Sequence, residues 1–189
     1  PRRHCRGLPG FRSEMIVSPY LSPSNDPPMN ETLKTLLTAL DEGFDRPAWH
    51  GPNLTGTLRG LTLDALLKRP VPGAHNIWEL ALHCAYWKHT ARRRIAEGDV
   101  APFPLAGSNF FPRERGATIA QWRRERNLLM AEHRALRAEV AKLPPERLER
   151  RARGSRHSVR RTVLGIAAHD VYHAGQISLI DHQNIGDLE

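Results

Sequence analysis

Leu33, Leu36, Leu37 and Leu40 recur at spacings of three and four after Asn30, and the run ends near Gly43. That period places the four leucines on one face of a helix, with Asn30 as a residue type that caps a first turn. A second stripe of Ile77, Leu80, Ala81, Cys84 and Trp87 opens at His75 or Asn76 and runs to Gly98. Arg92, Arg93 and Arg94 close it, where the negative end of the helix dipole favours cations. A third helix is expected from about Thr118, carrying Ile119, Trp122, Leu129, Leu136 and Val140 until Pro144 and Pro145 stop it. The fourth begins near Ser158 and uses Val163, Ile166, Ala167, Ile177 and Ile180. No segment alternates with the period of a strand, so the pattern predicts an all-α chain folded as a four-helix bundle.

The intervals between these helices are uneven. Residues 46–73 hold Pro47, Gly51, Pro52, Gly56, Gly60, Pro70, Pro72 and Gly73, which predicts a long connection with at most a short helix over residues 61–68. A second Pro-rich loop covers residues 99–116. Residues 1–28 contain Pro1, Pro9, Pro19, Pro23, Pro27 and Pro28 without sustained periodicity, and are expected to be a disordered or loosely attached leader. Helical patterning starts at Met29, so the functional domain is expected over residues 29–189.

A chain of 189 residues that is 40% hydrophobic fits one domain able to bury a core without disulfide staples. Its formal charge of +8 raises the question of a nucleic-acid or anionic-membrane partner. The densest run, from Arg147 through Arg150, Arg151, Arg153, Arg156 and Arg160 to Arg161, has no interleaved aromatic residue for base stacking. It therefore reads as a solvated connection and helix start, and nucleic acid is not expected as a partner. Cys5 lies in the leader and Cys84 in a helical stripe, so both are expected to be unpaired, consistent with a reducing cytoplasm. No apolar run is long enough to span a bilayer, and residues 10–21 are broken by Arg12, Ser13, Glu14 and Pro19, unlike a signal peptide.

Ten histidines are present, and most need no special explanation. His4 lies in the leader and His133 and His157 fall in polar surroundings, while His89 and His182 lie near helix ends and are expected at the surface rather than as ligands. His169 and His173 differ, because four residues make about one helical turn and both rings project from the stripe of Ile166, Ile177 and Ile180. His83 lies on the inward stripe of helix two with Asn76, Leu80, Cys84 and Trp87. If helices two and four face each other, three imidazoles meet in an apolar interior, where a cation would satisfy their ring nitrogens. The alternative is three core histidines with separate hydrogen bonds. Three neutral nitrogens suit zinc, nickel or iron better than magnesium or calcium, and three protein ligands leave room for water. Cys84 is turned about 100° from His83 and is not expected as a fourth ligand.

The string His75-Asn76-Ile77-Trp78-Glu79-Leu80 leading to His83, then His169-Asp170-Val171-Tyr172-His173-Ala174-Gly175-Gln176-Ile177, resembles the DinB-like (DinB/YfiT) superfamily of metal-dependent proteins. Trp49-His50-Gly51-Pro52 also resembles a segment that some members carry. The resemblance implies an up-down-down-up four-helix bundle with a metal triad of His83, His169 and His173, and a homodimer. It also implies one divalent transition metal, zinc first, with nickel, iron or manganese as alternatives. Several family members are transferases or isomerases that use a low-molecular-weight thiol. The expected function is thus a metal-dependent enzyme acting on a small-molecule substrate. Thiol transfer is its most concrete form, and metal-dependent hydrolysis differs only in placing water where the thiol would sit. A non-catalytic, metal-stabilised stress-response or binding protein is the competing class. Around the triad, Glu79, Gln176, Tyr172 and His50 are the candidate catalytic residues. Glu79 is favoured for a supporting role one turn before His83, Gln176 and Tyr172 for orienting water or substrate, and His50 for entering the pocket from the long loop.

Overall fold

The computed structural model describes residues 30–186. The expected leader, and Cys5 within it, lie outside them. Among the described residues the regular structure is helical: α1 (Glu31–Phe44), α2 (Leu54–Thr57), α3 (Leu63–Leu67), α4 (Ile77–Ile95), α5 (Ile119–Ala141), a 3₁₀ turn (Pro145–Arg147) and α6 (Val159–Gly186). The long connection holds α3 inside the span of residues 61–68 where a short helix was expected, and a second short helix, α2, that was not. Asn53 caps α2 and Thr62 caps α3, each accepting a backbone N–H of the first turn.

The long helices start where the sequence offers caps. Asn30 accepts from the amides of Thr32 and Leu33, Asn76 from Glu79, and Thr118 from Gln121. Asn76, rather than His75, is the cap of α4. The helix packs against α5 and α6, and α1 packs against the same two. Gly43 permits close approach of α1 to α6, since a Cβ there would stand 2.9 Å from the carbonyl oxygen of Ala167.

Two apolar clusters form the core. One gathers Phe44, Trp78, Trp122, Leu129 and Ile177 with the short helices, and the other Leu36, Leu40, Ile95, Leu136, Val140 and Val163. Polar side chains are buried among them. Lys88 of α4 donates to Asp170 of α6, and both side chains are 0% exposed. The Lys88 ammonium also lies 4.7 Å from the centre of the Phe44 ring. Burial raises the Asp170 carboxyl to about 6 even though Lys88 pulls it down, so at neutral pH it remains an anion.

His89, expected at the surface, is buried instead, and so is His133, whose surroundings in sequence are polar. His133 stacks flat on Phe44 at 3.7 Å, and burial, with Lys88 and Arg137 nearby, lowers its pKa to about 2. His89 is buried 3.3 Å from Glu132. The polar neighbours of His133 occupy other faces of its helix, and a place near the end of α4 does not expose His89 because α5 covers that face. His182 is exposed, as expected. Part of the arginine run is used within the fold. Arg147 donates to the carbonyl of Ile95 and Arg153 to those of Ala96 and Glu97, tying down the end of α4, while Arg160 pairs with Glu149. Among the described residues, no helix is long and apolar enough to cross a membrane.

Replacing Lys88 by Met should leave Asp170 as a lone buried carboxylate and lower stability by about 3–5 kcal/mol. The loss should shrink as pH falls and Asp170 protonates, and Lys88→Met with Asp170→Leu should recover most of it. Urea unfolding at two pH values checks both; a single variant as stable as the parent at pH 8 would refute the role assigned to the pair.

Candidate metal centre

The packing of α4 on α6 brings together the three histidines that lie far apart in sequence. His169 Nε2 stands 3.0 Å from His83 Nε2 and 3.1 Å from His173 Nε2. Ligand atoms of the three all fall within 4.8 Å of one another, and His83 and His173 are buried. The contacts on the far side of the rings set their tautomers. His83 Nδ1 lies 2.9 Å from the carbonyl oxygen of Asn109, which can only accept, so the proton is on Nδ1 and the lone pair on Nε2. His173 Nδ1 lies 2.6 Å from Gln176 Oε1, and the Gln176 amide donates its other end to the Tyr172 hydroxyl at 3.2 Å.

Two Nε2 lone pairs therefore point at His169 Nε2. A proton on that nitrogen could satisfy one of them; a cation satisfies all three. The two separations are also below about 4.1 Å, twice a metal–nitrogen bond of about 2.0–2.1 Å and thus the widest spacing two nitrogens on one ion can have. The residues fit a divalent ion. Burial, reinforced by the neighbouring histidines, lowers His169 to about 3 and His173 to about 4, and burial lowers His83 as well. All three rings are neutral at physiological pH, the form that binds metal. A second grouping of Cys84, His169 and Asp170 also lies within 4.8 Å. It is the poorer set: Lys88 already neutralises Asp170, and burial followed by the Asp170 charge raises the thiol well above its ordinary pKa.

Loop residues that periodicity did not reveal support the triad. Asn109 takes φ 67°, a left-handed conformation that asparagine tolerates, and its side chain accepts from the Trp87 indole at 3.0 Å. Phe110 is sandwiched between His75 at 3.6 Å and His83 at 4.2 Å, nearly parallel to both. An Asn-Phe-Phe run inside a Pro-rich loop was the available signal. Glu79 holds this loop in place. Its buried carboxylate accepts from the Arg113 amide at 3.0 Å, from Arg69 and from His75, and does not face the triad. Burial would raise Glu79, but Arg69, the Arg113 amide and His75 outweigh it and hold the carboxyl below its ordinary value.

Among the described residues, two cavities open on the triad and share His83 and His169. The larger, about 680 Å³, is walled by Leu80, Phe110, Leu179 and Ile180, with Tyr172 and Gln176 also lining it. Tyr172 is 63% exposed. The second, about 440 Å³, extends along α6 towards its N-terminal turns. His50 is exposed between Ala48 and Gly51 and lines neither cavity.

Against known proteins, a family model described as the DinB superfamily matches residues 46–177, which include all three histidines. No curated protein and no solved structure matches the chain.

Because burial lowers all three rings, metal affinity should hold at pH 7.5 and begin to fall at a lower pH than it would for three free imidazoles titrating at about 6.5. The metal-free fold should lose stability from about pH 6.5 downward, where the unfolded chain takes up protons that the folded rings refuse. Competition titrations and melting curves across this range test both signs. Gln176→Ala should weaken metal binding about 10- to 100-fold without changing helix content, since it frees the His173 ring to turn; unchanged affinity would show that the Nδ1 contact does not orient the ligand.

Proposed function

This chain belongs to the DinB superfamily, and on that premise we propose that it is a metal-dependent enzyme whose ion is held by His83, His169 and His173 in an up-down-down-up four-helix bundle. The observation that carries this reading is the convergence of three Nε2 atoms whose outward nitrogens, on His83 and His173, already have acceptors. Zinc is the favoured ion, with nickel, iron or manganese also suited to an all-nitrogen set. The chemistry we assign is thiol transfer to a small electrophile, and the ion, when bound, supplies the positive charge that makes a thiol acidic at neutral pH.

The chain's own side chains divide the remaining work. Asn109 and Gln176 hold the His83 and His173 rings with Nε2 inward. Leu80, Phe110 and Ile180 form an apolar wall of the larger cavity that accommodates the electrophile. Tyr172, joined through Gln176 to His173, places a hydroxyl at the cavity where a proton can be held or passed on. Glu79 is assigned to positioning, through the loop that carries Asn109 and Phe110. Leu164, Tyr172 and Leu179 lie exposed on neighbouring faces of α6, which supports a homodimer packed through this helix.

Titration with zinc and with nickel should show one ion per chain, and His83→Ala, His169→Ala or His173→Ala should each weaken binding by more than about a hundredfold, beyond what loss of a supporting contact does. Four proteins with equal affinities would sink the metal reading. With metal restored, conjugation of a simple thiol to an electrophile should require both the ion and the triad. Hydrolysis under the same conditions without thiol consumption would replace transfer with the hydrolase reading.

A further inference from the structure

The smaller cavity has a different chemical character from the larger. Near the triad its wall is Trp87, Ile166 and the open face of Gly165; further away stand Arg94 at the end of α4 and Arg161 in the first turns of α6. Among the described residues, no aspartate or glutamate lines it. Among the described residues neither arginine forms an ion pair, and the Arg94 guanidinium instead lies 6.0 Å from the centre of the Trp87 ring. This distinguishes the two from Arg147, Arg153 and Arg160 of the same basic region, which are engaged with carbonyls or with Glu149. Ser155, His157 and Thr162 add polar groups to the wall.

Two unpaired guanidiniums on one side of an apolar cleft are suited to one kind of ligand, an organic molecule with an oxyanion at one end. Arginine forms paired, charge-assisted hydrogen bonds to carboxylate and phosphate, and its planar head can stay stacked on an indole while doing so. A cavity of about 440 Å³ is the size that holds such a molecule.

We propose that this cavity binds a small organic anion, a carboxylate or a phosphate monoester, with Arg94 and Arg161 on its charged end and Trp87 and Ile166 against its apolar body, so that the body reaches the His83 and His169 edge of the triad. The two cavities then bring two reactants to the triad by separate routes: an anionic one past the arginines and an apolar one past Tyr172. What the held molecule does there rests on the metal-dependent reading; that it is held does not.

The test is calorimetric titration of the full chain, metal-free and zinc-loaded, with benzoate, phenyl phosphate and the uncharged benzamide. The metal-free protein should bind at least one anion about tenfold or more tightly than benzamide, and the tighter anion identifies the charged end. Arg94→Gln and Arg161→Gln should each weaken that anion about tenfold while leaving zinc affinity and melting temperature unchanged. Gly165→Leu is the second route. A Cβ at Gly165 meets no atom within 4 Å, so the side chain can fill the cavity without disturbing its neighbours, and anion binding should be lost. The proposal is overturned if benzamide binds as well as both anions, if the arginine variants bind like the parent, or if anions bind only after zinc is added. Failure of the metal reading would show separately, as absent zinc binding in a metal-free protein that still takes up the anion.

Discussion

Lys88 and Asp170 meet where no water reaches either, and this contact constrains how α4 can sit on α6. Sliding either helix by one turn would leave an ammonium and a carboxylate buried apart, at a cost far above that of mispacking an apolar pair. Apolar stripes tolerate such slippage more readily, because one leucine can replace another in a groove. Asp170 directly follows His169, and Lys88 lies four residues after Cys84, the neighbour of His83. The register that pairs the charges is therefore the register that brings the three imidazoles together.

Burial affects these polar groups in two opposite ways. It raises the Asp170 carboxyl and depresses the histidines, in each case favouring the neutral form. For Asp170 the cost is offset by a neighbouring cation. For the triad, neutrality is what metal binding needs, since only an unprotonated nitrogen has a lone pair to give. The same low dielectric that keeps the rings neutral also makes three converging lone pairs unfavourable without a cation between them.

The loop before α5 completes the site from outside the helices. Phe110 stacks on His83 while Asn109 fixes its tautomer, so one short segment sets both the plane of the ring and the position of its proton. Glu79 and Asn76 hold that segment through the backbone of Arg113. A carboxylate one turn from a ligand thus acts at a distance, by anchoring a loop. Its burial with three donors is the physical reason it is better placed to support than to accept a proton from substrate.

The sequence by itself determined the four long helices, their caps and the inward direction of His83, His169 and His173. Each of these follows from a period of 3.6 residues and from side chains within one turn of each other. Of the two short helices within residues 46–73, α3 falls where a short helix was expected and α2 was hidden, because four residues cannot display a period and its Asn53 cap stands among many turn residues. The burial of His133 was not legible because local polarity reports the average of all helix faces, and that of His89 was misread from its place near a helix end, whereas burial depends on which face a partner covers. Only the tertiary structure decided that Lys88 and Asp170 pair, that Asn109 and Phe110 orient His83, and that Glu79 turns away from the triad. These contacts join residues 26 to 82 positions apart along the chain, or reverse the role that proximity in sequence suggests. No local pattern encodes such pairings; they exist because packed helices and a closed loop leave each buried charge and ring one low-energy partner.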